Sequence, residues 1–124
     1  MTRLSTQDAL EIWYDVTSKV VAGDWPDLTL RQQAILMQVY LRQQPHTIRG
    51  IAHALNITKP AVTRAIDTLS ALDLVRRKKD ETDLRNVLIQ RTVKGSVFLS
   101  EFSDLFIRQA DARGIQGPES QQAA

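Results

Sequence analysis

Within TKPAVTRAIDTLSA, residues 58–71, side chains of complementary chemistry crowd one short arc. Arg64 ends in a forked guanidinium that can donate two hydrogen bonds to a guanine edge. Thr63 offers a hydroxyl to a base or a phosphate, and Ala61 offers a methyl-sized contact for thymine. Thr58, Lys59 and Pro60 complete the arc. Further on, Arg77, Lys78 and Lys79 form a basic run, and Asp83 stands two residues before Arg85, close enough to orient its guanidinium. These groups bind anions and read hydrogen-bond patterns; none of them breaks a bond.

Bond-making chemistry is missing elsewhere too. The chain has no cysteine, so thiolate metal sites, disulfides and thiol redox sensing are excluded. His46 and His53 have no cysteine or acidic neighbour at a metal-ligand spacing and are expected at the surface or in a link. The few glycines form no phosphate loop, and no Ser, His and Asp pattern suggests a triad. Asp80, Glu81 and Asp83 read as a turn rather than a cation site. The expectation is a protein that is not an enzyme, with no metal and no cofactor.

The arc around Arg64 needs a rigid support, and residues 47–72 supply one. Ile48, Ile51, Ala52 and Leu55 recur at i, i+3, i+4, i+7, and Val62, Ala65, Ile66 and Leu69 repeat the spacing, so the sequence predicts two helices with one buried stripe each. Asn56 suits the left-handed residue that ends the first, Thr58 can cap the second, and Pro60 falls in its first turn, where a missing N–H costs nothing. Two helices joined this tightly make a helix-turn-helix, whose second helix can enter a DNA major groove.

Around this motif the sequence predicts a helix over 6–22, which Thr6 could cap, with Leu10, Trp13, Val16 or Thr17, and Val20 along one side. A second helix starts at a Thr29/Gln32 capping box and runs to about Gln43, and Pro45 closes it. After the motif, a basic run, a turn of Asp and Thr, and period-two Val87 and Ile89 predict a β-hairpin over 74–91, a wing. Thr92 would cap a last helix over 93–112. The fold class is mainly α with a small β-hairpin: a winged helix-turn-helix domain over 1–113, with N- and C-terminal dimerisation helices, and a disordered tail over 114–124.

The formal net charge of +2 conceals a segregation. Residues 42–94 carry eleven Lys/Arg against five Asp/Glu, whereas 1–41 carry three against five and 95–124 two against four. A basic centre between acidic ends is the footprint of a nucleic-acid binder whose ends face away from phosphate. Trp13, Val20, Phe98, Phe102 and Phe106 make those ends more apolar than one winged helix needs, which predicts a homodimer. With no long apolar run and no signal-peptide pattern, the protein is expected in the cytoplasm and not in a membrane.

These residues resemble the MarR family of bacterial winged-helix transcription regulators. The resemblance is carried by ITKPAVTRAIDTLSALDLV and by DLRNVLIQRTVKG, residues 83–95, where Asp83, Arg85, Thr92 and Gly95 match the wing pattern D-x-R, an alternating strand, then T-x-x-G. It covers roughly residues 28–110. It implies a homodimer on a pseudo-palindromic double-stranded DNA operator, and it assigns Arg85 to the minor groove; a small-molecule effector would be of unknown identity. Leu84 stands where many members carry a further wing arginine, so a looser hold on phosphate is expected. Arg91 replaces a usually apolar residue. The short flanks imply a reduced dimer platform and ligand pocket. The competing reading is a winged-helix module that docks another protein, against which the segregated basic charge argues.

Overall fold

A computed structural model describes residues 4–115; most of the expected tail, 116–124, lies outside the described residues. The elements run α1 (Thr6–Ala22), α2 (Leu30–Leu41), α3 (Ile48–Leu55), α4 (Lys59–Ala71), β1 (Val75–Lys79), β2 (Val87–Arg91) and α5 (Val93–Ala112). The chain divides into two compact units, residues 28–99 and the two ends, up to 27 and from 100. The mainly helical winged-helix fold is as expected.

In the central unit, local chemistry sets each helix end. Thr29 accepts from the Gln32 N–H while the Gln32 side chain accepts from the Thr29 N–H, so α2 opens on the expected reciprocal box. It stops at Leu41, short of Gln43, with Arg42 already extended. Asn56 adopts φ 54°, ψ 49°, the left-handed conformation, and lets the Ile57 N–H reach back to the Ala52 carbonyl at 3.0 Å. Thr58 then accepts from the Ala61 N–H and starts α4. Asp73, at φ 59°, ends α4 in the same way, with the Leu74 N–H on the Leu69 carbonyl at 2.9 Å.

The core is where these helices meet the hairpin. Ile35, Leu36 and Val39 of α2, Ile51 of α3, and Val62, Ile66 and Leu69 of α4 close against Leu74, Val75 and Ile89. The strands pair antiparallel from Val75↔Arg91 to Lys79↔Val87. Thr47 bridges to Leu88 on the other edge of β2, and the Ile89 N–H donates to the His46 carbonyl at 2.8 Å, so the link before α3 is part of the small sheet. His46 lies in the link, as expected, and that pairing buries it there, with its Nε2 3.1 Å from the Arg42 carbonyl. His53 is exposed as expected.

The terminal unit joins α1 to the later turns of α5. Ser5, not Thr6, caps α1, because Asp8 can answer it from N3: the Asp8 N–H donates to the Ser5 hydroxyl at 3.0 Å. Val16 is the buried residue of α1, while Leu10 and Trp13, placed on the same inner side by the sequence, are more than half exposed. A helix apolar on two sides offers two stripes, and Ile12, Val16 and Val20 form the inward one. Trp25 meets Phe102 edge-to-face at 5.4 Å. Arg113 donates to Asp15 at 2.7 Å and closes the end of α5 onto α1. Among the described residues, no helix is long and apolar enough to cross a membrane.

Candidate nucleic-acid interface

The buried stripe of α4 leaves its opposite face open. Thr58, Lys59, Pro60, Thr63 and Arg64 are exposed, and Ala61 is half-buried. The Arg64 Nε–H makes a weak return bond to the Pro60 carbonyl at 3.4 Å, which folds its side chain along the first turn of the helix. Thr68, one turn on, donates to the Arg64 carbonyl at 3.4 Å. The structure therefore brings the N-cap Thr58 and the five α4 positions named from sequence to one end of one helix.

The basic strand behaves less uniformly. Strand alternation puts Arg77 and Lys79 on the face that carries Val75 and Ile89, and Arg76 and Lys78 on the reverse. Arg77 is thereby turned toward α4, where its guanidinium pairs with the Asp67 carboxylate. That ion pair ties the root of the wing to the helix and engages one end of the Arg77 guanidinium, whose side chain stays partly exposed. Arg76 bonds the Gln90 amide across the hairpin at 3.1 Å. Lys78 and Lys79 are exposed and make no ion pair among the described residues.

At the tip, Asp80 accepts from the Thr82 hydroxyl at 2.7 Å, the Thr82 N–H at 3.0 Å and the Asp83 N–H at 3.3 Å, which makes it the turn residue its neighbours implied. The bond from the Thr82 hydroxyl is the main reason its carboxyl is held below the ordinary range. Asp83 takes two bonds from the Arg85 guanidinium, at 3.0 and 3.1 Å, and one from the Arg85 N–H at 3.1 Å. The guanidinium bond, then the backbone one, lowers the Asp83 carboxyl below its usual value, and the same pairing raises Arg85. Arg85 remains 90% exposed while held in this fork, so its direction is set and its outer edge is free.

Spacing did not identify Asp67, or Arg49 of α3, whose charge reaches Asp83 and helps to lower it. Both act across elements, and nothing in their local sequence marks them.

A helix-turn-helix with a two-stranded wing, its open helix face flanked by basic strand residues, defines the winged-helix class. Residues 28–87 match the MarR family model, and over that segment the chain is similar to this family. Among solved structures it is similar to S. aureus MepR in a complex with DNA, at 26% identity over 87% of this chain and 86% of that one, with a TM-score of 0.72. MepR bound to ethidium bromide matches at 26% identity over 94% of this chain and 84% of that one, with a TM-score of 0.70. The transcriptional regulator Tm0710 from Thermotoga maritima, at 17% identity over 94% and 81% with a TM-score of 0.72, shares the fold. No curated protein sequence matches the chain.

Proposed function

We propose that this protein is a DNA-binding transcription regulator that works as a homodimer on a pseudo-palindromic operator, with α4 in the major groove and the wing against the minor groove. The observation that carries the reading is the open N-terminal face of α4, whose exposed Lys59, Thr63 and Arg64 oppose a closed apolar side. A helix presented end-on in this way matches the docking of recognition helices in the groove. MepR, a structural relative, has been solved on DNA. In this reading Arg64 reads a base, Thr58, Lys59, Lys78 and Lys79 meet the backbone, and Arg85, aimed by Asp83, enters a narrow A·T-rich minor groove. Because the chain has no cysteine, any signal reaches it by binding rather than by thiol oxidation.

Selection of duplexes from a random pool tests the reading. The expected product is an inverted repeat with half-sites about one helical turn apart, or a multiple of it. A pool that remains random, with no salt-sensitive binding to any duplex, would overturn it in favour of a protein-docking winged helix.

A further inference from the structure

Beside the reading face lies a groove of about 300 Å³, with Thr29, Arg31 and Gln32 at the start of α2 on one wall and Ala61, Arg64 and Thr68 of α4 on the other. Its lining includes two guanidinium groups and no carboxylate. The one acidic residue of α4, Asp67, is engaged by Arg77. Arg31 is exposed, and its side chain makes no hydrogen bond or ion pair among the described residues. Arg64 has only the weak 3.4 Å bond to the Pro60 carbonyl. Gln32 holds its oxygen on the Thr29 N–H at 2.9 Å, which leaves its amide N–H groups as further donors on the same wall.

By contrast, Arg76, Arg77, Arg85 and Arg113 each hold an amide or carboxylate acceptor. Two like charges sharing a cleft without a counter-charge repel each other, and an anion between them removes that cost. Planar guanidinium forks match the paired oxygens of a phosphate. We propose that this groove seats a phosphate-type oxyanion, with Arg31 as its ligand and the Arg64 guanidinium on the facing wall adding positive charge.

The inference rests on the DNA-binding reading for its occupant, a backbone phosphate beside the bases that α4 reads. Inorganic phosphate presents the same oxygens. Arg31 then fixes the register of α4 on the duplex without reading sequence, the division of labour expected of phosphate and base contacts.

The test compares wild type, Arg31→Gln and Arg31→Lys in salt titrations on a random-sequence duplex, with arginine Nε–H NMR during addition of inorganic phosphate as a second readout. Because the Arg31 side chain is exposed, neither variant disturbs the core. Loss of one phosphate contact makes the slope of log K against log salt shallower by about 0.9. Arg31→Gln is expected to show that change and Arg31→Lys to keep the wild-type slope. An unchanged slope for Arg31→Gln overturns the proposal. If wild type binds no duplex, the DNA-binding reading has failed by itself. In that case, phosphate-dependent shifts at Arg31 and Arg64 sustain the seat as a free-anion site, and their absence overturns it.

Discussion

The Tyr40 hydroxyl fills the space that a side chain at position 95 would need: a Cβ built on Gly95 lands within the Tyr40 hydroxyl and the Leu74 carbonyl, and 2.7 Å from Tyr40 Cζ. The hydroxyl donates to the Leu74 carbonyl at 2.6 Å and accepts from the Thr92 N–H at 2.9 Å. Thr92 in turn donates to the Asp73 carbonyl at 2.7 Å and accepts from the Gly95 N–H at 2.9 Å. One junction thus fastens the end of α4, the end of β2 and the start of α5. Arg91 joins it, with its guanidinium 5.9 Å from the Tyr40 ring centroid and its Nε–H on the Val39 carbonyl at 3.3 Å. The charge that departs from the family pattern is thereby placed on an aromatic face.

This junction sets a stability prediction. Tyr40→Phe leaves the Thr92 N–H and the Leu74 carbonyl without their partner and is expected to cost about 1–3 kcal/mol. Gly95→Ala must push backbone and ring apart, and overpacking of this kind also costs about 1–3 kcal/mol. Urea unfolding of both variants measures the loss; wild-type midpoints would refute the role of the junction.

The basic residues separate by what they touch. Arg64→Ala is expected to remove a base contact of about 1–3 kcal/mol and relax preference at one operator position. Lys78→Ala and Lys79→Ala should weaken operator and random duplexes alike, each making the salt dependence shallower by about one unit. Salt titrations on the two duplexes distinguish these outcomes. Equal losses on both for Arg64→Ala would make it a phosphate contact.

Asp83 carries a pH prediction. Its carboxyl is held below the ordinary 3.8, first by the Arg85 guanidinium and then by the Arg85 N–H. A carboxylate depressed by folding stabilises the folded state fully above its unfolded value, and that contribution is lost as pH falls through the folded value. The fork at the wing tip therefore stays intact through neutral and mildly acidic pH and opens only below the ordinary carboxylate value. Carbon-13 NMR of the Asp83 carboxyl should give a midpoint below 3.8, and a midpoint at or above it would show that the fork does not form in solution. Arg85→Ala, which removes the minor-groove arginine, and Asp83→Asn, which weakens its aim, should both reduce binding to A·T-rich flanks more than to G·C-rich ones.

The apolar residues of the terminal unit bear on assembly. Trp13 is 64% exposed, Tyr14 69% and Ile107 53%, an unusual amount of large apolar surface to leave in water. Sedimentation is expected to show a dimer at micromolar concentration, and Trp13→Glu should shift it toward monomer. A wild-type monomer that also fails to dimerise on DNA would refute the homodimer.

What the sequence alone determined were the features written by neighbours a few residues apart. The Thr29/Gln32 box, the left-handed Asn56, the Thr58 cap and the Asp83–Arg85 fork each close over two to five residues, so residue types at fixed spacing were enough to place the helix-turn-helix and the turn of the wing. Tertiary structure decided what depends on distant partners. Arg77 and Asp67 are 10 residues apart, and Tyr40 and Thr92 are 52 apart. The pairing of Thr47 with Leu88 buried the link histidine His46, whose burial no local spacing signals. Period alone could not choose between the two apolar sides of α1, because helical spacing fits both and only packing selects one. The same limit applies to Arg31: its charge was plain in the sequence, but only the approach of α2 to α4 set it opposite Arg64.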